Sequence, residues 1–374
     1  MMTEPIGIYL HVPFCLSRCL YCDFVSSTGD DGELSAYVDR LILEINSFDT
    51  AGARVKVDSI FFGGGTPSRL SSSQLGRILD AVRAKFEVLA DCETTVEVNP
   101  ATYSEGYFDR LHRLGVNRLS IGLQSIHENE LRALGRRHTY SDFLECYASA
   151  RQAGFDNISV DIMLGIPHQT EASLEATLSE LIRLAPEHIS AYMLIIEEGT
   201  PFAKMKDTLA LPSEAQERKM YFDTDNRLFS ADYCHYEVSN FSKRGYESRH
   251  NLKYWTLTDY IGFGPSAHSC YLGKRFYNTS DIHAYMTEDF GNIRFTECDG
   301  AYGEDEYIML KLRTVYGFEF EDFRRRFGYD FREGREDELN DLELFQLAFI
   351  TDRGITLTPQ GFFLSNSAIV KLLK

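Results

Sequence analysis

Tyr9-Leu-His11-Val-Pro13-Phe14-Cys15-Leu-Ser-Arg-Cys19-Leu-Tyr21-Cys22 places three cysteines within eight residues of a 374-residue chain. Free cysteine is scarce and is usually buried singly, so three in one short loop point to a shared task. A disulfide framework does not fit an odd count in a chain without a secretory signal. Thiolates at this spacing wrap one soft metal centre, which leaves zinc or an iron–sulfur cluster. Zinc would need a fourth ligand, for which His11 is available. Structural zinc sites usually pair two Cys-x-x-Cys-like knuckles, and this stretch favours a 4Fe–4S cluster instead. Three cysteines on four irons leave one iron open, the arrangement that chemistry requires of a metal centre.

Outward from that loop, short β-rich runs alternate with amphipathic stretches as far as about residue 231. The expected strands are Ile6–His11, Ser59–Phe62, Thr94–Asn99, Arg118–Gly122, Asn157–Leu164 and His188–Ile195. Ser71-x-x-Gln74 reads as a capping box ahead of Leu75, Ile78, Leu79, Val82 and Phe86 on one helix face. Thr170 caps a second helix carrying Leu174, Leu178, Leu181 and Ile182, which ends near Pro186. Phe143, Tyr147 and Ala150 line a third, with Gly154 just past its end. Six strands alternating with helices predict an α/β fold with a parallel sheet and right-handed crossovers. An open sheet and an incomplete TIM-type (β/α)6 barrel both satisfy the pattern. Candidate functional residues fall repeatedly at strand C-terminal ends, which favours the barrel.

Three segments are expected: a partial barrel over 1–231, a barrel-closing extension of strands and loops over 232–298, and a C-terminal domain over 299–374. In the last, Ile308, Leu312 and Val315 suggest a helix, Phe320, Phe323 and Phe327 a second, and Leu339, Leu342, Phe345 and Phe349 a third. Ile355–Thr358, a Pro359-Gln-Gly361 turn and Phe362–Ser365 read as a hairpin before a last helix to Lys374. Helices followed by a hairpin are winged-helix-like, but acidic residues outnumber basic ones here, so a lid or docking module fits better than a DNA reader.

A formal charge of −18 argues against non-specific binding to nucleic acid and leaves at most peripheral membrane contact. The Met1-Met2-Thr3-Glu4-Pro5 start has no basic or apolar leader, and no apolar run approaches a membrane span, so a cytoplasmic protein is expected. Cys92, Cys146, Cys234, Cys270 and Cys298 are scattered and read as buried small hydrophobes in a reducing compartment.

Cys-x3-Cys-x2-Cys with an aromatic, Tyr21, before the last cysteine resembles the signature of radical S-adenosylmethionine (SAM) proteins. The longer string from Tyr9 to Cys15 is similar to the branch that holds oxygen-independent coproporphyrinogen III dehydrogenase and the HemW-type heme chaperones. The resemblance implies that Cys15, Cys19 and Cys22 hold a 4Fe–4S cluster whose open iron is chelated by SAM. It also implies a SAM pocket built from Tyr9, Gly64, Gly65, Thr66, Glu97, Gln124, Arg136 and Asp161. The residues taken singly are compatible with that. Glycines let backbone approach a ligand, a carboxylate in a buried strand needs a partner such as an amine, and arginine clamps carboxylates.

His250-Asn251-Leu-Lys-Tyr254-Trp255 contains the only Trp of the chain. Imidazole is a usual heme ligand and aromatics stack on porphyrins, although a lone His is more often structural. The string resembles the one that separates HemW-type chaperones from the dehydrogenase. Gly262-Phe-Gly264-Pro-Ser-Ala267-His268 resembles the family segment near a second SAM or substrate site, making His268 the second heme-ligand candidate after His250. Phe24 stands where the dehydrogenase branch carries a fourth cysteine, and only 14 residues precede Cys15. The expected function is therefore heme binding and delivery to an acceptor apoprotein, with a flavodoxin or ferredoxin as a conceivable reductant. The rival is oxidative decarboxylation of coproporphyrinogen III by the 5′-deoxyadenosyl radical, or another reaction of a related radical enzyme.

Overall fold

Alternation along Ile6-Gly-Ile-Tyr-Leu-His-Val sets the layers of the fold. Ile6, Ile8, Leu10 and Val12 are buried on one face, and Gly7, Tyr9 and His11 point to the other. The computed structural model describes residues 4–50, 52, 54–300 and 302–373, the side chains of Cys298 and Asp299 excepted. The readings above for Met1-Met2-Thr3, Cys298 and Lys374 lie outside the described residues.

Strands β1 (Ile6–Val12), β2 (Lys56–Gly64), β3 (Glu87–Val98), β4 (Arg118–Gln124), β5 (Ile158–Leu164) and β6 (His188–Met193) pair in parallel and in chain order. All six expected strands form. Their outward residues, among them Ile60, Val96, Ile121 and Val160, join one apolar core with Leu41, Leu75, Leu79, Phe143 and Leu178 of the covering helices. The Ser71–Gln74 and Thr170–Ser173 capping boxes both close, and Gly154 adopts φ 94° just past the helix Tyr140–Gln152.

The sheet then grows beyond the expected six strands. A hairpin of β7 (Cys234–Glu237) and β8 (Asn240–Ser242) adds antiparallel to β6. On the opposite edge β9 (Tyr260–Phe263) runs parallel to β1, followed by antiparallel β10 (His268–Tyr271), β11 (Lys274–Asn278) and β12 (Arg294–Asp299). The twelve strands form one sheet whose first and last members, β12 and β7, do not pair. Tyr9, Phe61, Glu97, Arg118, Asp161 and His188, one from each of β1 to β6, line a common chamber, so the sheet is curved into an incomplete barrel.

The C-terminal part comprises the helix Glu304–Lys311, strand β13 (Phe318–Glu319), helices Phe320–Phe327 and Glu336–Leu344, and a hairpin of β14 (Ala348–Ile350) and β15 (Gly354–Leu357). Helices Pro359–Phe363 and Ser365–Leu372 follow. The expected Ile355–Ser365 hairpin is displaced. Thr358 accepts the Gly361 N–H at 2.9 Å and Pro359 opens a helix, so the partner of β15 is the preceding segment. Phe349 thus lies on a strand and Phe345 at a helix end, both more than half exposed, and Val315 lies beyond the first helix. Cys92, Cys146 and Cys270 are buried as expected, whereas Cys234 is exposed at the sheet edge.

Candidate functional site

Three positions after β1 ends at Val12, Cys15 begins the cysteine loop, which is stitched to its surroundings through backbone. Cys15 N–H donates to Ser27 O at 2.9 Å, Leu20 N–H to Leu134 O at 3.0 Å, and Phe202 N–H to Leu20 O at 3.0 Å. Cys22 N–H closes a turn on Cys19 O at 3.3 Å. Cys15, Cys19 and Cys22 are free and half-buried, and all three line one cavity of about 320 Å³. Among the described residues no three Cys, His, Asp or Glu side chains converge as ligands of a single ion would. A four-iron cluster takes each thiolate on a different iron, a demand that three sulfurs lining one cavity can meet. His11, the candidate zinc ligand, is spent elsewhere: Nε2 lies 2.9 Å from Val25 O and Nδ1 lies 3.1 Å from the Tyr9 hydroxyl.

The same cavity collects most of the expected SAM residues at the C-terminal ends of the strands. Gly64 has φ 108°, and a Cβ on Gly65 would stand 2.8 Å from Val12 O and 2.9 Å from Phe14 N, so both positions require glycine. Thr66 Oγ1 approaches Cys15 Sγ at 3.4 Å. Gln124 ends β4 at φ 70°, beside a register shift, a strained non-glycine geometry of the kind found at ligand sites. Arg136 donates to the Tyr21 hydroxyl at 2.7 Å, while its buried Nε has no hydrogen-bond partner among the described residues. Asp161 accepts from Ser120 at 2.9 Å and from Ser159 at 3.4 Å, and burial holds its carboxyl above the usual range. Burial and the neighbouring Asp161 push Glu97 up to about 8. The cavity lining thus combines a guanidinium with two carboxyls whose pKa burial raises. A zwitterionic amino acid with a sugar attached would satisfy both.

Below this cavity the concave face is polar, with Arg118, Ser159, His188 and Ser190 lining a chamber of about 240 Å³. The His-Asn-x-x-Tyr-Trp string forms its floor. It is not a loop but the helix Arg249–Thr256, capped by Ser248 and seated at the N-terminal ends of the strands. Glu93 on β3 accepts the N–H groups of Arg249 and His250 at 3.2 and 3.1 Å, and Lys253 reaches Pro5 O at 2.9 Å and Asp58 at 2.7 Å. His250 is 1% exposed, with Nδ1 3.0 Å from Ser59 Oγ and Nε2 2.9 Å from the Tyr254 hydroxyl. Both ring nitrogens are therefore engaged inside the barrel. Asn251 and Tyr254 line the chamber, but Trp255 does not. Its indole lies under Arg313 and beside Glu237, with the indole N–H and Glu237 Oε1 buried near each other but short of hydrogen-bond geometry. Trp255 thus faces the C-terminal part, whose Arg313 O and Val315 N–H bond the backbone of Val238 and Tyr236 at 3.0 and 3.1 Å.

A third cavity, of about 330 Å³, is lined by Tyr9, His11, Phe24, Tyr254, Tyr260 of β9 and His268 of β10, among others. Phe24, 59% exposed, borders all three cavities. The segment Gly262–His268 is anchored by Glu44, a fully buried carboxylate that sequence reasoning missed. It accepts from Gly264 N–H at 2.9 Å, Asn278 and Tyr285 each at 2.7 Å, and Arg294 at 2.8 Å. Its signal was a lone Glu within the apolar face of the helix Asp31–Ser47.

Residues 9–181 match the radical SAM superfamily and residues 305–364 the HemN C-terminal domain. Heme chaperone HemW of Lactococcus lactis is 33% identical over 377 residues, covering 100% of this chain and 98% of that protein. The chain belongs to the HemW family of radical SAM proteins. Heme chaperone HemW of Bacillus subtilis is likewise 33% identical, over 96% of each chain. Among solved structures, coproporphyrinogen III oxidase (HemN) from Escherichia coli superposes with a TM-score of 0.86 over 100% of this chain and 91% of its own, at 22% identity, a likeness of fold. No helix among the described residues is long and apolar enough to cross a membrane.

Proposed function

We propose that the chain is a heme carrier of the cytoplasm that passes its cargo to an acceptor apoprotein, with a 4Fe–4S cluster and SAM as resident groups. The observation that carries this reading is the full-length similarity to heme chaperones combined with a cysteine loop and an adjoining pocket whose donors suit the two groups. Cys15, Cys19 and Cys22 would hold the cluster. The Gly64-Gly65-Thr66 backbone, Arg136 and Glu97 would take the amino-acid end of SAM, and Gln124 and Asp161 the nucleoside end. When bound, the pair supplies one-electron chemistry, for which a flavodoxin or ferredoxin is a suitable reductant.

The chain's own residues have simpler tasks. Arg136 neutralises a carboxylate, Glu97 accepts from an ammonium, and Tyr21 holds the guanidinium against the cysteine loop. The helix Arg249–Thr256 seals the barrel floor against water. Loading the reconstituted chain with ferric heme and mixing it with the heme-free form of a heme enzyme tests the carrier reading. The Soret spectrum is expected to change to that of the acceptor holoprotein. A loaded chain that never yields heme to any acceptor contradicts the reading.

A further inference from the structure

A strand at the edge of a sheet exposes unpaired N–H and C=O groups, which proteins usually shield with charge, proline or a bulge. In the C-terminal sheet, of order β13, β15, β14, the strand β14 is such an edge. Ladder bonds at its two ends fix its phase: Thr358 N–H donates to Leu347 O and Thr351 N–H to Gly354 O, each at 3.0 Å. With Phe349 opposite Thr356, alternation turns the backbone groups of Leu347, Phe349 and Thr351 toward β15. The N–H and C=O groups of Ala348 and Ile350 therefore point away from the sheet, and no described residue hydrogen-bonds them. Nothing shields this edge, since Ala348-Phe349-Ile350 holds no charge, proline or register shift. Phe349 is 63% exposed, and Leu344 and Phe345, just before the strand, are more than half exposed too. All of β14 lines a groove of about 610 Å³ that Thr358 and Gln360 border from the far side of β15.

We propose that β14 receives an extended, cationic segment of another protein as an added strand. In strand addition the backbone bonds supply affinity and alternate side chains supply specificity. Charge selects the occupant. Among the described residues Glu343 is the one charged side chain lining the groove, and no ion pair engages it. It belongs to the helix Glu336–Leu344, which also carries Glu336, Asp337, Glu338 and Asp341 and has no lysine or arginine. Of these, Asp341 is taken up by Lys371 at 2.7 Å. The partner segment thus places apolar side chains over Phe349 and a lysine or arginine toward Glu343. A second copy of this chain fits poorly, because edge-to-edge pairing would join two chains of formal charge −18 and bring no cation from β14 to Glu343. The proposal concerns a docking partner and stands apart from what the barrel carries.

The probe is a fluorescent peptide of alternating lysine and valine, about six residues long as an ordinary strand is. It is titrated against the full chain by anisotropy, with a glutamate–valine peptide as its counterpart. The lysine–valine peptide is expected to bind and to slow amide hydrogen exchange across residues 347–351. Ile350→Pro, which removes an outward N–H and no ladder bond, should weaken binding at least about tenfold. Phe349→Lys should do the same by repulsion, and it alters only an exposed side chain, so it decides the matter if the proline variant does not fold. Glu343→Lys should move the preference to the glutamate–valine peptide. A lysine–valine peptide that does not bind, binds all the variants alike or protects another segment instead overturns the proposal. So does a dimer seen by sedimentation that Ile350→Pro dissolves, because it assigns the edge to a second copy.

Discussion

The Arg136 guanidinium donates to the Tyr21 hydroxyl at 2.7 Å, tying an arginine that follows β4 to the aromatic residue between the second and third cysteines. The arginine lines the same cavity as the three cysteines, and its buried Nε has no hydrogen-bond partner among the described residues. One residue thereby couples the cysteine loop to the expected carboxylate site. Arg136→Ala should lower SAM affinity by a charge-assisted bond, about 1.5–3 kcal/mol, or roughly ten- to hundredfold. Tyr21→Phe should cost less, because it loosens the arginine without removing its charge. Calorimetric titration of both variants checks the order, and equal wild-type-like affinity in Arg136→Ala would rule out this placement.

Replacement of Cys15, Cys19 or Cys22 by Ala should abolish the brown chromophore after anaerobic reconstitution. Iron and sulfide analysis reads the result. A variant lacking all three that still carried about four irons per chain would place the cluster elsewhere.

The proton on Glu97 predicts a pH dependence. Its folded-state value of about 8 stands above the ordinary 4.5, first through burial and then through Asp161. The fold therefore binds that proton more tightly than the unfolded chain does. The group's penalty is absent below about pH 4.5 and grows as pH rises to 8, so the ligand-free chain loses stability across that window, by roughly 3–5 kcal/mol. Glu97→Gln should be more stable than wild type at pH 8, with the gap closing by pH 5. Denaturant unfolding at the two pH values measures it, and a gap independent of pH would contradict the assignment.

Glu44 predicts a stability effect far from the cysteines. Glu44→Ala leaves the Arg294 guanidinium, the Asn278 amide and the Tyr285 hydroxyl without their shared acceptor, which should cost about 3–5 kcal/mol. Limited proteolysis should then cut first between residues 264 and 294. Unchanged thermal stability and cleavage pattern would show that the network is dispensable.

The six parallel strands were legible because each is a short run of β-branched and aromatic residues bounded by turn signals. The residues expected around SAM were named through the resemblance, and most of them do fall at strand C-terminal ends around one cavity, where a barrel concentrates function. The helix Arg249–Thr256 was not legible, since the residues it buries, His250 and Lys253, are polar and mark no apolar core face. The C-terminal hairpin was misplaced because Thr358-Pro359 can open a helix as readily as a turn, and only the pairing of Ala348–Ile350 with β15 decides between them. The strand β9 lacked any local mark of its parallel pairing with β1, a contact about 250 residues distant in sequence.

The proposed heme carriage and the rival porphyrinogen decarboxylation are separated by one experiment. The most direct measurement gives anaerobically reconstituted protein ferric heme in one sample, and coproporphyrinogen III with SAM and reductant in another. The carrier account predicts stoichiometric heme binding with a defined Soret band and no decarboxylated product. Decarboxylation by a chain that binds no heme would contradict it.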